Sequence, residues 1–211
     1  SLGSGAVYRT PKEAFEIEPF ELPVYWPRAY GLDVGWNKNA ALWGAHDRES
    51  DTIYIYSEMY LGEVEPPAVA SAIRARGAWI PGLIDPASRG RAQRDGVRLI
   101  DEYRDEGLQL QMADNAVEAG IHVITTMLQT GRLKIFNSCG NVLAEYGLYR
   151  RDKHGKIVKT FDHALDALRY LVTGINIAVT QTEAEVANSF DPTFHSGGWH
   201  EPSAPTGSAG Y

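Results

Sequence analysis

Short apolar segments of strand length, separated by polar stretches, open the regular part of the chain. They cover residues 29–35, 40–45 and 52–60. In the third segment, Ile53 and Ile55 alternate with Tyr54 and Tyr56, which is the two-residue period of a half-buried strand. The pattern therefore predicts three strands joined by polar turns into an antiparallel meander.

Further along the chain, apolar positions recur at three- and four-residue spacing, which is the period of a helix. Helices are predicted over residues 66–76, 95–106, 115–129, 142–149 and 162–177. Short apolar runs between them predict strands at residues 83–85, 108–110 and 133–135. Three meander strands followed by alternating helices and strands is the order of a ribonuclease H-like fold. This is an α/β architecture with a mixed central β-sheet flanked by helices.

Three parts of the chain differ in composition. Residues 1–27, rich in Pro, Glu and aromatic residues, are predicted to be an extended lead-in, and residues 28–180 to form the ribonuclease H-like domain. Residues 181–211 hold many Ser, Gly, Pro and Thr residues and few aliphatic ones, which predicts a flexible C-terminal tail. Aromatic residues in that tail, such as Phe194 and Trp199, are expected to become ordered on a partner.

Composition and charge narrow the class of protein. The 211 residues suffice for one domain with a full core, and no apolar run approaches the roughly 18 residues of a membrane span. The formal net charge of −7 argues against a protein that coats nucleic acid by bulk electrostatics, although a local basic patch could still contact DNA. A lone Cys139 excludes an intrachain disulfide framework and suits a reducing cytoplasm.

Two carboxylates end short apolar segments that are predicted to be strands. Asp33 stands in Gly-Leu-Asp-Val-Gly and Asp85 in Leu-Ile-Asp-Pro. A carboxylate in a strand is costly without a cation or donor beside it, and carboxylates at adjacent strand ends can converge. Each also has an ordinary structural interpretation, because Asp33 could accept hydrogen bonds in a turn and Asp85 could start one before a proline.

The last predicted helix carries two further carboxylates. Asp162 lies in its first turn just off the apolar stripe, and Asp166 lies further round on the same side. Taken alone, the pair fits an N-terminal cap and a solvated side chain. Convergence with Asp33 and Asp85 would instead create strong repulsion, which bound divalent cations resolve.

Oxygen ligands of this kind favour Mg²⁺ or Mn²⁺. Two such ions can cleave a phosphodiester, because one activates a water and the other stabilises the leaving oxygen. The scattered histidines and the single cysteine form no zinc pattern. The acidic positions therefore indicate a two-metal site.

The motifs around these carboxylates resemble, in order, those of the C-terminal nuclease domain of bacteriophage large terminase subunits. The most specific is Asp-His-Ala-Leu-Asp-Ala-Leu-Arg-Tyr at 162–170. Asn-Ala-Val-Glu-Ala-Gly-Ile at 115–121 and Gly-Arg-Leu-Lys-Ile at 131–135 also look like that family. The resemblance extends over about residues 30–177 and is closest to headful-packaging tailed phages.

The resemblance implies a two-metal endonuclease that cleaves double-stranded concatemeric viral DNA during genome packaging in the host bacterial cytoplasm. It also implies that the portal protein and the small terminase subunit are partners. The whole family protein has an N-terminal ATPase domain. Because no Gly-x-x-x-x-Gly-Lys-Ser/Thr phosphate loop occurs here, this sequence is expected to be an excised domain.

The family motifs also imply which residues bind metal. Asp33 and Asp85 supply the first two ligands, and the third lies near the start of the last helix, with Asp162 preferred over Asp166. His163 is expected either to orient a ligand or water, or to be an ordinary polar residue at a helix start.

Five cations gather in a predicted hairpin just before the last helix. They are Arg150, Arg151, Lys153, Lys156 and Lys159. Next to the last acidic motif they are expected to bind DNA phosphates beside the cut, although a solvated hairpin is the alternative. No pattern suggests base-reading side chains, so little sequence preference is expected.

Three rival classes stay open on the sequence alone. Sugar kinases and actin-like proteins share the fold, and Asp33-Val34-Gly35 superficially resembles their first phosphate motif, but they need a second such domain. A junction resolvase or transposase nuclease would use the same metal chemistry. The third rival is a non-catalytic docking module whose main functional part is the tail.

Overall fold

The protein is described here by a computed structural model over residues 5–35, 37–89 and 98–189. The strands within these residues are β1 (Glu16–Ile17), β2 (Arg28–Val34), β3 (Asn39–Asp47), β4 (Thr52–Leu61), β5 (Gly82–Ile84), β6 (Leu110–Met112) and β7 (Leu133–Phe136). The α-helices are α1 (Pro66–Arg74), α2 (Leu99–Asp105), α3 (Val117–Gln129), α4 (Gly140–Leu148), α5 (His163–Thr173) and α6 (Gln181–Ser189).

All of these strands join one mixed sheet in the order β1-β7-β4-β3-β2-β5-β6. The antiparallel meander β2-β3-β4 confirms the sequence prediction, with a register shift at Trp43/Gly44. Parallel strands extend it on both sides, β5 and β6 beyond β2 and β7 beyond β4. The ribonuclease H-like class predicted from the element order is confirmed.

Helices cover both faces of the sheet. One apolar cluster joins α1 and α2 to strand residues such as Leu32 and Trp43, and a larger one joins α3, α4 and α5 to the opposite face. Alternation along β2 turns Gly31 and Asp33 toward α5. A Cβ on Gly31 would lie 2.0 Å from the carbonyl oxygen of Ala167, so only glycine lets α5 approach the strand this closely. This contact fixes the start of α5 beside the end of β2.

The structure differs from the predicted extended lead-in at residues 1–27. From residue 5 onward this segment belongs to the domain, because Tyr8 and Phe15 are buried and both rings pack against Tyr146 of α4. Strand β1 pairs in parallel with β7. Two residues of strand carry no readable period, so only the nonlocal partner reveals them.

Some element ends also differ from the predictions. The last long helix was predicted to reach residue 177, but α5 ends at Thr173 and is followed by Gly174 and a short 3₁₀ helix, Ile175–Ile177. The strand predicted at 108–110 lies at Leu110–Met112, because the Leu108 amide instead donates to the Tyr103 carbonyl. Of the helix predicted at 95–106, residues 95–97 lie outside the described residues.

The start of the predicted flexible tail is helical. Thr180 and Glu183 cap α6 reciprocally, since the Glu183 amide donates to Thr180 Oγ1 and the Thr180 amide donates to Glu183 Oε2. Residues 190–211, with Phe194 and Trp199, lie outside the described residues. Within the described part of the chain, no helix has the length and apolar character needed to cross a membrane.

Candidate active site

Asp33 and Asp85 stand at the same edge of the sheet. Strands β2 and β5 are parallel with Leu32 beside Ile84, so the next residue of each chain segment is an aspartate. The Asp85 amide donates to the Leu32 carbonyl at 2.9 Å, which extends the pairing one step past β5. The convergence expected for these two carboxylates is therefore present in the backbone register.

The start of α5 reaches the same edge through His163. Its Nδ1 lies 2.9 Å from Oδ2 of Asp33. Burial raises the pKa of Asp33 to about 6, against the hydrogen bond from His163, and the nearby charges of Asp166 and Asp85 raise it further. The pKa of His163 is raised in turn, mainly by its hydrogen bond to Asp33. The charges of Asp166 and Asp85 therefore reach Asp33 at this edge.

Asp85 is held from two directions. Its Oδ1 accepts from the Ala87 amide at 2.9 Å and from the Tyr170 hydroxyl at 3.3 Å. Burial raises the pKa of Tyr170 most, and Asp85, Asp166 and Asp33 all raise it as well, in that order. Tyr170 therefore lies within the electrostatic reach of the same three carboxylates.

Asp166 has a buried cation as its direct partner. Its Oδ1 lies 2.9 Å from Nη2 of Arg169, whose guanidinium is almost completely buried. Nε and Nη1 of Arg169 have no hydrogen-bond partner among the described residues. Gly120 of α3 makes room for this side chain, because a Cβ there would come within 2.5 Å of the Arg169 Cγ.

Asp162 precedes α5 and, among the described residues, makes no side-chain cap of that helix. Lys159 bridges the two helix carboxylates, with Nζ 3.3 Å from Asp162 Oδ2 and 3.5 Å from Asp166 Oδ2. Burial alone would lower the pKa of Lys159, but Asp166 and Asp162 raise it overall. Asp162 also raises the pKa of Tyr60, although burial is the main cause of that shift. Among the neighbouring carboxylates, the charges of Asp166 and Asp85 add to the rise that burial causes in the pKa of Asp33.

The cap of α5 comes from Glu145 of α4, a residue that the sequence interpretation missed. Its Oε2 accepts from the amides of Ala164 and Leu165 at 2.7 and 3.1 Å, and its Oε1 from the Tyr60 hydroxyl at 2.6 Å. Burial raises the pKa of Glu145 despite these donors. The available signal was an acid on the apolar face of a predicted helix, where only a specific set of donors tolerates it.

The five cations of the predicted hairpin separate into three groups. Arg151 forms a bidentate pair with Glu118 of α3 at 2.8 and 2.7 Å, and Lys159 faces Asp162 and Asp166. Arg150, Lys153 and Lys156 are exposed, and in the described part of the chain no carboxylate lies within ion-pairing distance of them. The turn at His154-Gly155 is present, organised by Asp152, which accepts from the amides of residues 154 and 156.

The donor chemistry of this edge fits a hard divalent cation. The donors at this edge are carboxylate oxygens, and burial together with the charges of Asp166 and Asp85 raises the pKa of Asp33. In their present orientations, no three described Asp, Glu, His or Cys side chains stand close enough to enclose one ion. The carboxylate of Asp33 is instead hydrogen-bonded to His163, and that of Asp85 to Tyr170. Metal binding therefore requires these side chains to exchange partners.

This chain is similar to known proteins over most of its length. Residues 30–173 match the family model described as a terminase RNase H-like domain. The large terminase subunits of Enterobacteria phage LP7 and Salmonella phage P22 are each 31% identical over 180 residues, which is 81% of this chain. This chain spans 38% and 36% of the length of those two relatives.

Solved structures show the same relationship. The P22 large terminase nuclease domain superposes with a TM-score of 0.79 at 29% identity, covering 87% of this chain and 99% of that one. The nuclease domain of the phage SPP1 large terminase, solved with bound Mn, has a TM-score of 0.58 at 19% identity and covers 74% of this chain and 92% of its own. At that lower identity the likeness shows a shared fold.

Proposed function

This chain belongs to the family of terminase RNase H-like domains, and we propose that it is a metal-dependent endonuclease that cuts double-stranded viral DNA during genome packaging. The observation that carries the proposal is the placement of Asp33 and Asp85 at neighbouring strand ends, where burial raises the pKa of Asp33 to about 6 and the charges of Asp166 and Asp85 add to that rise. Family membership sets aside the kinase, resolvase and transposase alternatives.

The proposed metal ligands are Asp33, Asp85 and Asp166. Asp166 is preferred over Asp162 because its charge raises the pKa values of Asp33 and of Tyr170. The charge of Asp162 instead raises the pKa values of Tyr60 and His163. This reverses the order expected from the motif alone. Asp162 is proposed to hold Lys159 at the rim of the site, with its carboxylate 3.3 Å from the ammonium.

The cofactor is proposed to be Mg²⁺ or Mn²⁺, as two ions. The Mn-bound SPP1 nuclease domain, which has the same fold, supports a divalent ion of this class. Such ions activate the attacking water and stabilise the leaving oxygen. The contribution of the chain is to align the ligands: His163 orients Asp33, Tyr170 and the Ala87 amide orient Asp85, and Arg169 orients Asp166.

The wider biological role is likewise a proposal, since the chain spans under two fifths of its relatives' length. Within the host bacterial cytoplasm it would act beside an ATPase domain on concatemeric DNA, with little sequence preference. Arg150, Lys153 and Lys156 are the free cations of the hairpin that fit a DNA backbone. The portal protein and the small terminase subunit are the proposed protein partners, with residues after Ser189 as the proposed docking segment.

A plasmid-nicking assay tests the proposal. The 211-residue protein is expected to cleave supercoiled plasmid with Mn²⁺ or Mg²⁺ and to lose all activity in EDTA. Asp166→Asn is expected to abolish cleavage, whereas Asp162→Asn retains a measurable fraction. Cleavage in EDTA would refute metal dependence, and the opposite ranking of the two variants would return the third ligand to Asp162.

A further inference from the structure

A groove of about 590 Å³ lies next to the acidic edge, on the side of α4 and the segment that leads into α5. This volume falls within the about 300–1,000 Å³ range of sites that hold small organic ligands. Its lining includes Lys38, Tyr60, Leu148, Lys159, Phe161 and His163. His163 lines the groove and also contacts Asp33, so the groove borders the proposed metal site.

Phe161 presents an aromatic ring to this groove and to solvent. The side chain is 61% exposed, and its backbone has φ of 57°, a left-handed conformation that is rare for an aromatic residue. Neither burial nor local backbone preference accounts for a phenylalanine here, and outliers of this kind cluster at functional sites. Leu148, 55% exposed, extends the apolar wall.

Two lysines stand on the other walls of the groove, which also include Glu145. Lys38 Nζ lies 5.0 Å from the centre of the Tyr60 ring, and Lys159 Nζ faces the carboxylates of Asp162 and Asp166. An exposed ring flanked by two ammonium groups matches the chemistry of one nucleotide, whose base has an apolar face and whose phosphate is an anion.

We propose that this groove holds one unstacked nucleotide of the DNA strand beside the cut, with its base against Phe161 and its phosphate near Lys38 and Lys159. The inference rests on the proposed function and adds a substrate feature to it. In an intact duplex both faces of a base are covered by neighbours, so only a base that has left the stack can lie on the ring. The enzyme should therefore favour DNA that is locally opened next to the scissile phosphate.

Binding to oligonucleotides in EDTA tests the inference without cleavage. Fluorescence anisotropy would compare a single-stranded 20-mer with the matched duplex. Phe161→Ala is expected to weaken single-strand binding by about 5- to 150-fold, the range for loss of one base–aromatic stack, and duplex binding by less. Phe161→Trp should keep the wild-type affinity because it retains a ring.

Tyr25→Ala supplies the matched control, since that side chain is 72% exposed but lines a different pocket, near Arg28 and Trp79. It should bind both oligonucleotides as the wild type does. Single-strand affinity of Phe161→Ala within twofold of wild type would overturn the inference and leave the groove to a protein partner. Equal losses in Phe161→Ala and Tyr25→Ala would also overturn it.

Cleavage assays keep this inference apart from the proposed function. In Mn²⁺, a duplex with a short mismatched bubble should be cut faster than the fully paired duplex, and Phe161→Ala should remove that difference. If the wild type cuts DNA but shows no preference for the bubble, the inference fails and the nuclease assignment stands. If the wild type binds through Phe161 but never cuts with any divalent ion, the nuclease assignment fails.

Discussion

Two parts of the molecule contain the same residue types in opposite surroundings. At the turn between β3 and β4, Asp51 lies 3.0 Å from His46 and also pairs with Arg132. At the acidic edge, Asp33 lies 2.9 Å from His163 while the neighbouring Asp166 pairs with Arg169 at 2.9 Å. The side chain of Asp51 is 59% exposed and that of Asp33 only 10%.

The two aspartates respond in opposite ways. The hydrogen bond from His46, followed by Arg132, lowers the pKa of Asp51, whereas burial raises that of Asp33 to about 6 although it has an equivalent histidine. An exposed aspartate in a turn is stabilised as an anion by its hydrogen-bond and ion-pair partners. Asp33 is held where its charge is unfavourable, which is the condition expected of a ligand awaiting a cation.

The largest expected difference between the two regions is in catalysis. Asp33→Asn should reduce metal-dependent plasmid cleavage by ~10³-fold or more, because residues of a catalytic unit are each indispensable. Asp51→Asn makes the same chemical change in the turn and should leave the rate unchanged. Nicking rates in Mn²⁺ measure both, and similar rates for the two variants would remove Asp33 from the proposed ligands.

Stability should separate the two arginine pairs. Removing Arg169 takes the buried cation away from Asp166 and leaves it only the exposed Lys159 at 3.5 Å, and breaking a buried pair typically costs about 3–5 kcal/mol. The pair between Arg132 and Asp51 is exposed, and such pairs contribute about 0–1 kcal/mol. Urea unfolding in EDTA of Arg169→Met and Arg132→Met measures the contrast. Equal losses would mean that burial does not distinguish the regions.

The pH dependence of stability should have opposite signs in the two regions. Because burial raises the pKa of Asp33 to about 6, the folded protein holds this proton more tightly than the unfolded chain does. The stability gained in this way is complete below pH 3.8 and is lost as pH rises through about 6. Asp33→Asn has no carboxyl group to lose this proton. Its free energy of unfolding relative to wild type should therefore rise by up to about 3 kcal/mol between pH 4 and 6.

Asp51→Asn should behave in the reverse manner. The lowered pKa of Asp51 contributes stability above about pH 3.8, so the variant falls behind the wild type as pH rises through that region. Urea unfolding in EDTA at several pH values checks both variants. Parallel pH profiles for Asp33→Asn and wild type would contradict the raised pKa.

The smallest expected effect concerns DNA affinity. Lys153→Glu combined with Lys156→Glu should weaken binding to all sequences and lower the log–log salt slope by roughly one per lost phosphate contact. Arg48→Glu with Lys134→Glu makes the same charge change away from the acidic edge and should alter the slope less. An unchanged slope in the hairpin variant would make that hairpin an ordinary solvated surface.

The sequence predicted the parts of the fold that local patterns encode. The alternation in 52–60 and the helical stripe before Gly174 identified the meander and the packing helix, and the ends of apolar segments predicted that Asp33 and Asp85 would lie at neighbouring strand ends. Strand β1 was missed because its two residues are defined only by pairing with β7. The same holds for the burial of Tyr8 and Phe15.

At the site, sequence spacing could not reveal which side chains form hydrogen bonds and ion pairs with one another. Glu145 drew no prediction from the sequence, and only the fold places it at the start of α5. Arg151 counted as one of five DNA-binding cations, but Glu118 of α3 engages it. The preference between Asp162 and Asp166 depends on which one faces Asp33, a tertiary relationship. The assignment of metal ligands is still a prediction.

A crystal of the 211-residue protein soaked in Mn²⁺ tests the central claim most directly, because anomalous scattering locates the ion without assumptions about the ligands. The account predicts Mn²⁺ peaks within about 2.0–2.6 Å of carboxylate oxygens of both Asp33 and Asp85, the usual range for such hard cations. His163 or Tyr170 should have moved away from these oxygens. Mn²⁺ bound at the turn of Asp51 with none between Asp33 and Asp85 would contradict it.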